Sequence, residues 1–85
     1  MSIVFYFAFL RIFMVDFCDR LKKLRLEKGT PQKDLSVLLG VSVRAYQFYE
    51  SGDREPNIEN INKLADFFEV SADYLLGRTD DPATR

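Results

Sequence analysis

Residues 30–52 hold two sets of helix start and stop signals in close succession. Thr30 can cap a helix, and Pro31 suits the first helical position, where a missing N–H costs nothing. Gly40 ends that segment, since glycine takes a left-handed cap without a Cβ penalty. Val41 bridges, Ser42 caps again, and Gly52 stops the second segment. Leu35, Leu38 and Leu39 supply the buried face of the first helix. On the second, Ala45, Tyr46 and Tyr49 share one face, while Val43, Arg44, Gln47 and Phe48 lie largely on another.

The same signals extend on both sides. Phe17, Leu21 and Leu24 fall at helical spacing and predict a helix over about residues 16–28, stopped by Gly29. Asn57 caps a segment in which Ile58, Ile61, Leu64, Ala65 and Phe68 keep the helical period. Ser71 caps a short last helix, Ala72–Leu76, ended by Gly77. The expected architecture is all-α, a five-helix domain over residues 16–77 with an apolar N-terminal segment, 1–15, and a polar, frayed tail, 78–85. The two central helices have the layout of a helix-turn-helix, in which one helix braces against the DNA backbone and the next enters the major groove.

Composition narrows the function classes. The chain has 85 residues, enough for one domain, and contains one cysteine and no histidine. Cys18 alone cannot form an intrachain disulfide, and a zinc site is not expected. Both features fit a reducing cytoplasm. No nucleophile–base pair and no glycine-rich phosphate loop is present, so an enzyme is not expected, nor a cofactor, metal or small-molecule ligand. The formal net charge is −1, but it is unevenly spread. Residues 11–44 carry a net +4 and residues 45–85 a net −5. A basic half of this kind can face phosphates, or it can simply be solvated.

Residues 1–15 differ from the rest. The apolar run Ile3–Leu10 is too short for a membrane span of about 20 residues, and it lacks the basic start and small-residue cleavage site of a signal peptide. Three readings stay open. It is an extension ahead of a start at Met14, an arm packing on the domain or on a second subunit, or, least favoured, a membrane-surface anchor.

The chain resembles the phage-repressor and Cro-like (XRE-type) helix-turn-helix regulators. The residues that carry the likeness begin with Phe17, Leu21, Leu24-Arg25, Gly29, Gln32, Leu35 and Gly40-Val41-Ser42. They continue with Tyr49-Glu50, Gly52, Pro56, Leu64-Ala65 and Val70-Ser71, and end at Asp73 through Gly77. Two positions depart from the family pattern, Ser36 in place of alanine and Tyr46 in place of isoleucine. Both fall between the two motif helices. Ser36 can return its hydroxyl to a backbone carbonyl, whereas Tyr46 needs room or a route to solvent for its own.

The resemblance implies a phosphate contact from Gln32 and an ion pair between Arg25 and Glu50 that fixes the recognition helix. The helix N-terminus beside Gln32 independently favours an anion. Thr30, Ser42 and Arg54 are further phosphate candidates, with Lys33 and Lys28 less favoured, and the flanking Asp53 and Glu55 count against Arg54. Val43, Arg44, Gln47 and Phe48 are the base-contacting candidates. Arg44 suits guanine O6 and N7, Gln47 adenine or a phosphate, and Val43 a thymine methyl. Phe48 packs on a thymine methyl or sugar, or turns inward.

The function expected is a sequence-specific, double-stranded DNA-binding transcriptional regulator, a cytoplasmic repressor acting as a homodimer on a palindromic operator. Phe67, Phe68, Val70, Tyr74, Leu75 and Leu76 are more apolar groups than one small core needs, so some are candidates for the subunit contact, as is the N-terminal arm. The alternative is a protein-interaction module, antitoxin-like or an anti-repressor target, on the same fold. Salt dependence separates the two, because neutralised phosphates release counterions.

Overall fold

The computed structural model describes residues 17–83. The readings of residues 1–15, and of Met14 as a start, lie outside this range. Among the described residues there are five helices and no strand. Helix α1 covers residues 17–28, α2 Gln32–Leu39, α3 Val43–Ser51, α4 Ile58–Phe68 and α5 Ala72–Leu75. Helix α2 packs against both α3 and α4, and α4 packs against α5.

Each helix contributes one fully buried side chain to a common centre. These are Leu21 from α1, Leu35 from α2, Tyr46 from α3, Leu64 from α4 and Leu75 from α5. Burying an aliphatic side chain of this size contributes about 1.5–3 kcal/mol. No helix as short as α5 is stable alone, so its four residues depend on this core. Phe17, Leu39, Tyr49, Ala65, Phe68 and Val70 surround the centre. Phe67 and Phe68 meet edge to face with centroids 5.1 Å apart.

Three of the four expected caps form. Ser42 Oγ accepts from Ala45 N at 3.0 Å, Asn57 Oδ1 from Asn60 N at 2.8 Å, and Ser71 Oγ from Tyr74 N at 3.0 Å. Thr30 does not cap α2. Pro31 occupies the cap position, extended at φ −66° and ψ 150°, and α2 begins at Gln32 without a side-chain cap. At the other end Gly40 turns left-handed at φ 69°, and Val41 N donates to Ser36 O, which reverses the chain between α2 and α3. Of the expected buried face of α2, Leu35 and Leu39 are inside, whereas Leu38 is 37% exposed. The buried place beside Leu35 is taken by Ser36, whose hydroxyl donates to Lys33 O at 2.6 Å.

Two further expectations are corrected. Phe68, Val70 and Leu75 are buried in the chain's own core, and Phe67, Tyr74 and Leu76 pack against it half-buried. They are therefore largely used within one subunit rather than left as a surplus apolar face. The polar tail is also anchored rather than frayed as far as Pro82. Arg20 Nη1 donates to Tyr74 O at 2.8 Å and Thr79 O at 2.7 Å, and Nη2 meets Asp80 Oδ1 at 2.7 Å. Its guanidinium lies 4.3 Å from the Tyr74 ring centroid. Ser71 N donates to Pro82 O, which adds a backbone tie. No helix among the described residues is long and apolar enough to cross a membrane.

Candidate nucleic-acid interface

The outward side of α3 and the start of α2 share one surface. Helix α3 is held by its Ser42 cap at one end and by Gly52 at the other, where φ is 88°. Its inward face is fixed by Tyr46 and Tyr49, whose rings meet edge to face at 6.3 Å. That leaves Val43, Arg44 and Gln47 exposed and Phe48 half-buried. Gln32, at the first position of α2, lies beside Gln47.

A chain of polar contacts connects this surface to the core. Arg25 Nε donates to Glu50 Oε2 at 2.6 Å, and Nη2 donates to Oε1 at 3.2 Å. Tyr46 donates its hydroxyl to Oε2 at 2.5 Å, and Gln32 Nε2 donates to Oε1 at 3.2 Å. Four donors match the acceptor capacity of one carboxylate. A carboxylate only accepts, so Gln32 must turn its amide N–H toward Glu50 and its Oε1 outward. Gln47 Nε2 donates to that oxygen at 3.2 Å. The order of donors and acceptors thus runs from the ion pair out to the exposed face of α3. It leaves Gln47 with its own Oε1 and one N–H outside the chain.

The electrostatics follow from this arrangement. Burial pushes the Glu50 carboxyl up, but the hydrogen bonds from Arg25, Tyr46 and Gln32, with the Arg25 charge, outweigh it and hold the carboxyl below its ordinary value. The hydrogen bond to Glu50 raises Arg25 against the opposing effect of burial. Burial first, and then the Glu50 hydrogen bond, push the Tyr46 hydroxyl well up. The Glu50 and Arg25 side chains are only 6% and 13% exposed, so the pair is poorly screened by water.

The remaining site candidates fall into three groups. Lys33, Ser42 and Arg54 are exposed around the same surface, with Arg54 following the end of α3. Thr30 is half-buried, and its carbonyl accepts from Arg25 Nη1 at 3.2 Å, so its backbone is part of the brace. Lys28 is engaged elsewhere. Its ammonium donates to Phe67 O at 2.9 Å and lies 4.3 Å from the Phe67 ring centroid, beside α4.

The sequence reading missed Tyr46 as a partner of Glu50. The available signal was their spacing of four on one helix, which puts the two side chains together. Arg44 and Phe48 have the same spacing and also meet, with Cζ 5.4 Å from the ring centroid. Among the described residues there is no group of histidine, cysteine, aspartate and glutamate side chains arranged to hold a metal.

Two short helices joined at a left-handed glycine, the second exposed along a polar face and braced by a buried ion pair, define a helix-turn-helix protein. A family model described as helix-turn-helix matches residues 21–75. The HTH-type transcriptional regulator AnsR of Bacillus subtilis is 41% identical over 66 residues, 78% of this chain and 57% of AnsR. The cryptic phage CTXphi transcriptional repressor RstR of Vibrio cholerae is 38% identical over 60 residues, 71% of this chain and 54% of RstR. Among solved structures, the restriction-modification controller protein C.AhdI from Aeromonas hydrophila aligns with a TM-score of 0.65 at 34% identity, over 73% of this chain and 94% of C.AhdI. The chain belongs to the helix-turn-helix family of phage-repressor, or XRE, type, a family of transcriptional regulators rather than enzymes. It spans less than three fifths of the length of these two curated relatives.

Proposed function

We propose that this chain is a sequence-specific, double-stranded DNA-binding regulator that places α3 in the major groove. The observation that carries the reading is the polar chain from Glu50 through Gln32 to Gln47. It holds the exposed Gln47 of α3 in a fixed orientation from within the core, as base recognition requires. Gln47 keeps one acceptor and one donor, the pair that matches adenine N6 and N7. Arg44 offers the two parallel donors that match guanine O6 and N7, and Val43 an apolar contact for a thymine methyl. Phe48 borders the same surface.

Thr30, Gln32, Lys33, Ser42 and Arg54 are the proposed phosphate-contacting set. The absence of a side-chain cap on α2 supports this assignment, because its first amides stay available to an anion at the positive end of the helix dipole. The DNA-binding domain is residues 16–77. The chain acts in the cytoplasm as a repressor; the similarity to RstR, a transcriptional repressor, favours repression. One α3 covers few base pairs, so a homodimer on a palindromic operator doubles the site.

The test is selection of sites from random DNA by the full chain, followed by titration against salt. Affinity falls steeply with salt if phosphates are neutralised. Arg44→Ala loses about 1–3 kcal/mol of discrimination at one base pair, whereas Lys33→Ala weakens all sequences alike. A flat salt response overturns the DNA reading in favour of a protein-interaction module. Equal loss on every sequence for Arg44→Ala moves that residue to a phosphate. Sedimentation of the protein–DNA complex reads the number of subunits.

A further inference from the structure

Phe48 collects contacts that the base-reading role does not explain. Arg44 Cζ lies 5.4 Å from its ring centroid, and Arg54 Cζ lies 5.2 Å from the same centroid. Both distances are within the range in which a guanidinium is attracted to an aromatic ring. Local geometry brings the two arginines there. Arg44 is one helical turn before Phe48 on α3, so their side chains are neighbours. Arg54 returns from the other direction because Gly52, at φ 88°, reverses the chain. The Phe48 carbonyl secures that return, accepting from Gly52 N at 3.0 Å and Arg54 N at 3.3 Å.

Two guanidiniums at one ring repel each other, and among the described residues neither forms an ion pair with a carboxylate. Asp53 and Glu55 flank Arg54 in sequence; Asp53 accepts from the Ser51 hydroxyl, and neither carboxylate forms an ion pair with Arg44 or Arg54. The ring is half-buried, so its position is fixed by the domain while the two cations stay open to solvent. Both guanidiniums therefore keep N–H donors open to solvent beside one ring, and DNA supplies two kinds of acceptor for them at close range, base edges and phosphates.

We propose that Phe48 is a positioning residue that holds Arg44 and Arg54 as one clasp. Arg44 is presented to a base edge and Arg54 to a neighbouring phosphate, so Phe48 sets base preference without touching a base. Ordering two flexible side chains before binding removes a cost that would otherwise be met at the interface. This inference rests on the DNA-binding reading above.

The test uses the full chain with Phe48→Leu, which keeps an apolar side chain but removes the ring, and Phe48→Tyr, which keeps it. In the free protein, NMR reads ring-current shifts on the δ-methylene protons of Arg44 and Arg54. They are expected in the unmodified chain and in Phe48→Tyr, and absent in Phe48→Leu. On DNA sites selected by the unmodified chain, Phe48→Leu is expected to reduce discrimination at the Arg44 base pair about tenfold. Its slope of log affinity against log salt is expected to fall by about one. Phe48→Tyr restores both.

Absence of ring-current shifts in the unmodified chain overturns the clasp, whether or not Phe48→Leu folds. So does a folded Phe48→Leu with unchanged discrimination and salt slope. If the unmodified chain shows the shifts but binds no DNA in a salt-dependent way, the DNA reading fails and the clasp loses its assigned role.

Discussion

Tyr46 and Glu50 stand one helical turn apart on α3, and the Tyr46 hydroxyl donates to Glu50 Oε2 at 2.5 Å. Tyr46 is 0% exposed, so this carboxylate is its outlet for a hydroxyl that would otherwise be stranded in the core. The position departs from the isoleucine of the family pattern, and the departure changes the brace. Glu50 is held from α1 by Arg25, from α2 by Gln32 and from its own helix by Tyr46.

Tyr46→Phe removes one donor and keeps the ring. A hydrogen bond to a charged group contributes about 1.5–3 kcal/mol, and a loss of this size is expected in urea unfolding. The T-shaped packing on Tyr49 is unaffected, so circular dichroism stays unchanged. A variant as stable as the parent would show that the Tyr46 hydroxyl contributes nothing net.

Arg25→Met leaves Glu50 buried with its main partner gone, and about 3–5 kcal/mol of stability should be lost. The pH dependence gives an independent reading. The folded Glu50 carboxyl lies below its unfolded value. Its contribution is therefore complete above the unfolded value, about pH 4.3, and is lost as pH falls through the folded value. Without Arg25 the folded value rises, so the acid loss should begin at higher pH. Urea midpoints measured across pH 2–7 (a range of about five units around that unfolded value) should show the two curves separating on the acid side.

Glu69→Gly addresses backbone strain. Glu69 ends α4 at φ 58° and is the one non-glycine residue with positive φ among the described residues. The left-handed conformation costs a residue with a Cβ about 1–2 kcal/mol. Glycine gives back part of that through its freer unfolded chain. The expected result is a net gain of about 0.5–1 kcal/mol, seen as a higher midpoint of thermal unfolding.

Arg20→Ala frees residues 78–82 from α1. The guanidinium holds two carbonyls and rests on the Tyr74 ring, but no core side chain depends on it. Amide exchange at Ser71, whose N–H donates to Pro82 O, should accelerate at least tenfold, while the core amides of α4 keep their protection. A tail that stays protected in this variant would place the anchor in Ser71 and Pro82 instead.

The sequence by itself determined where most helices start and stop. Gly40, Gly52, Ser42, Asn57 and Ser71 act within one turn of chain, so their effect is legible locally. It failed at Thr30, where Pro31 took the cap position and left α2 without a side-chain cap. The Arg25–Glu50 pair was legible only through the family resemblance, since nothing local joins residues that far apart. Tertiary packing decided the rest. It made Glu50 the acceptor for three helices, turned Gln32 toward Gln47, placed Arg54 against Phe48 and tied the tail to Arg20. Each of these depends on which atoms come together when five buried side chains from five helices meet at one centre, and a linear pattern of caps and apolar spacings does not contain that information.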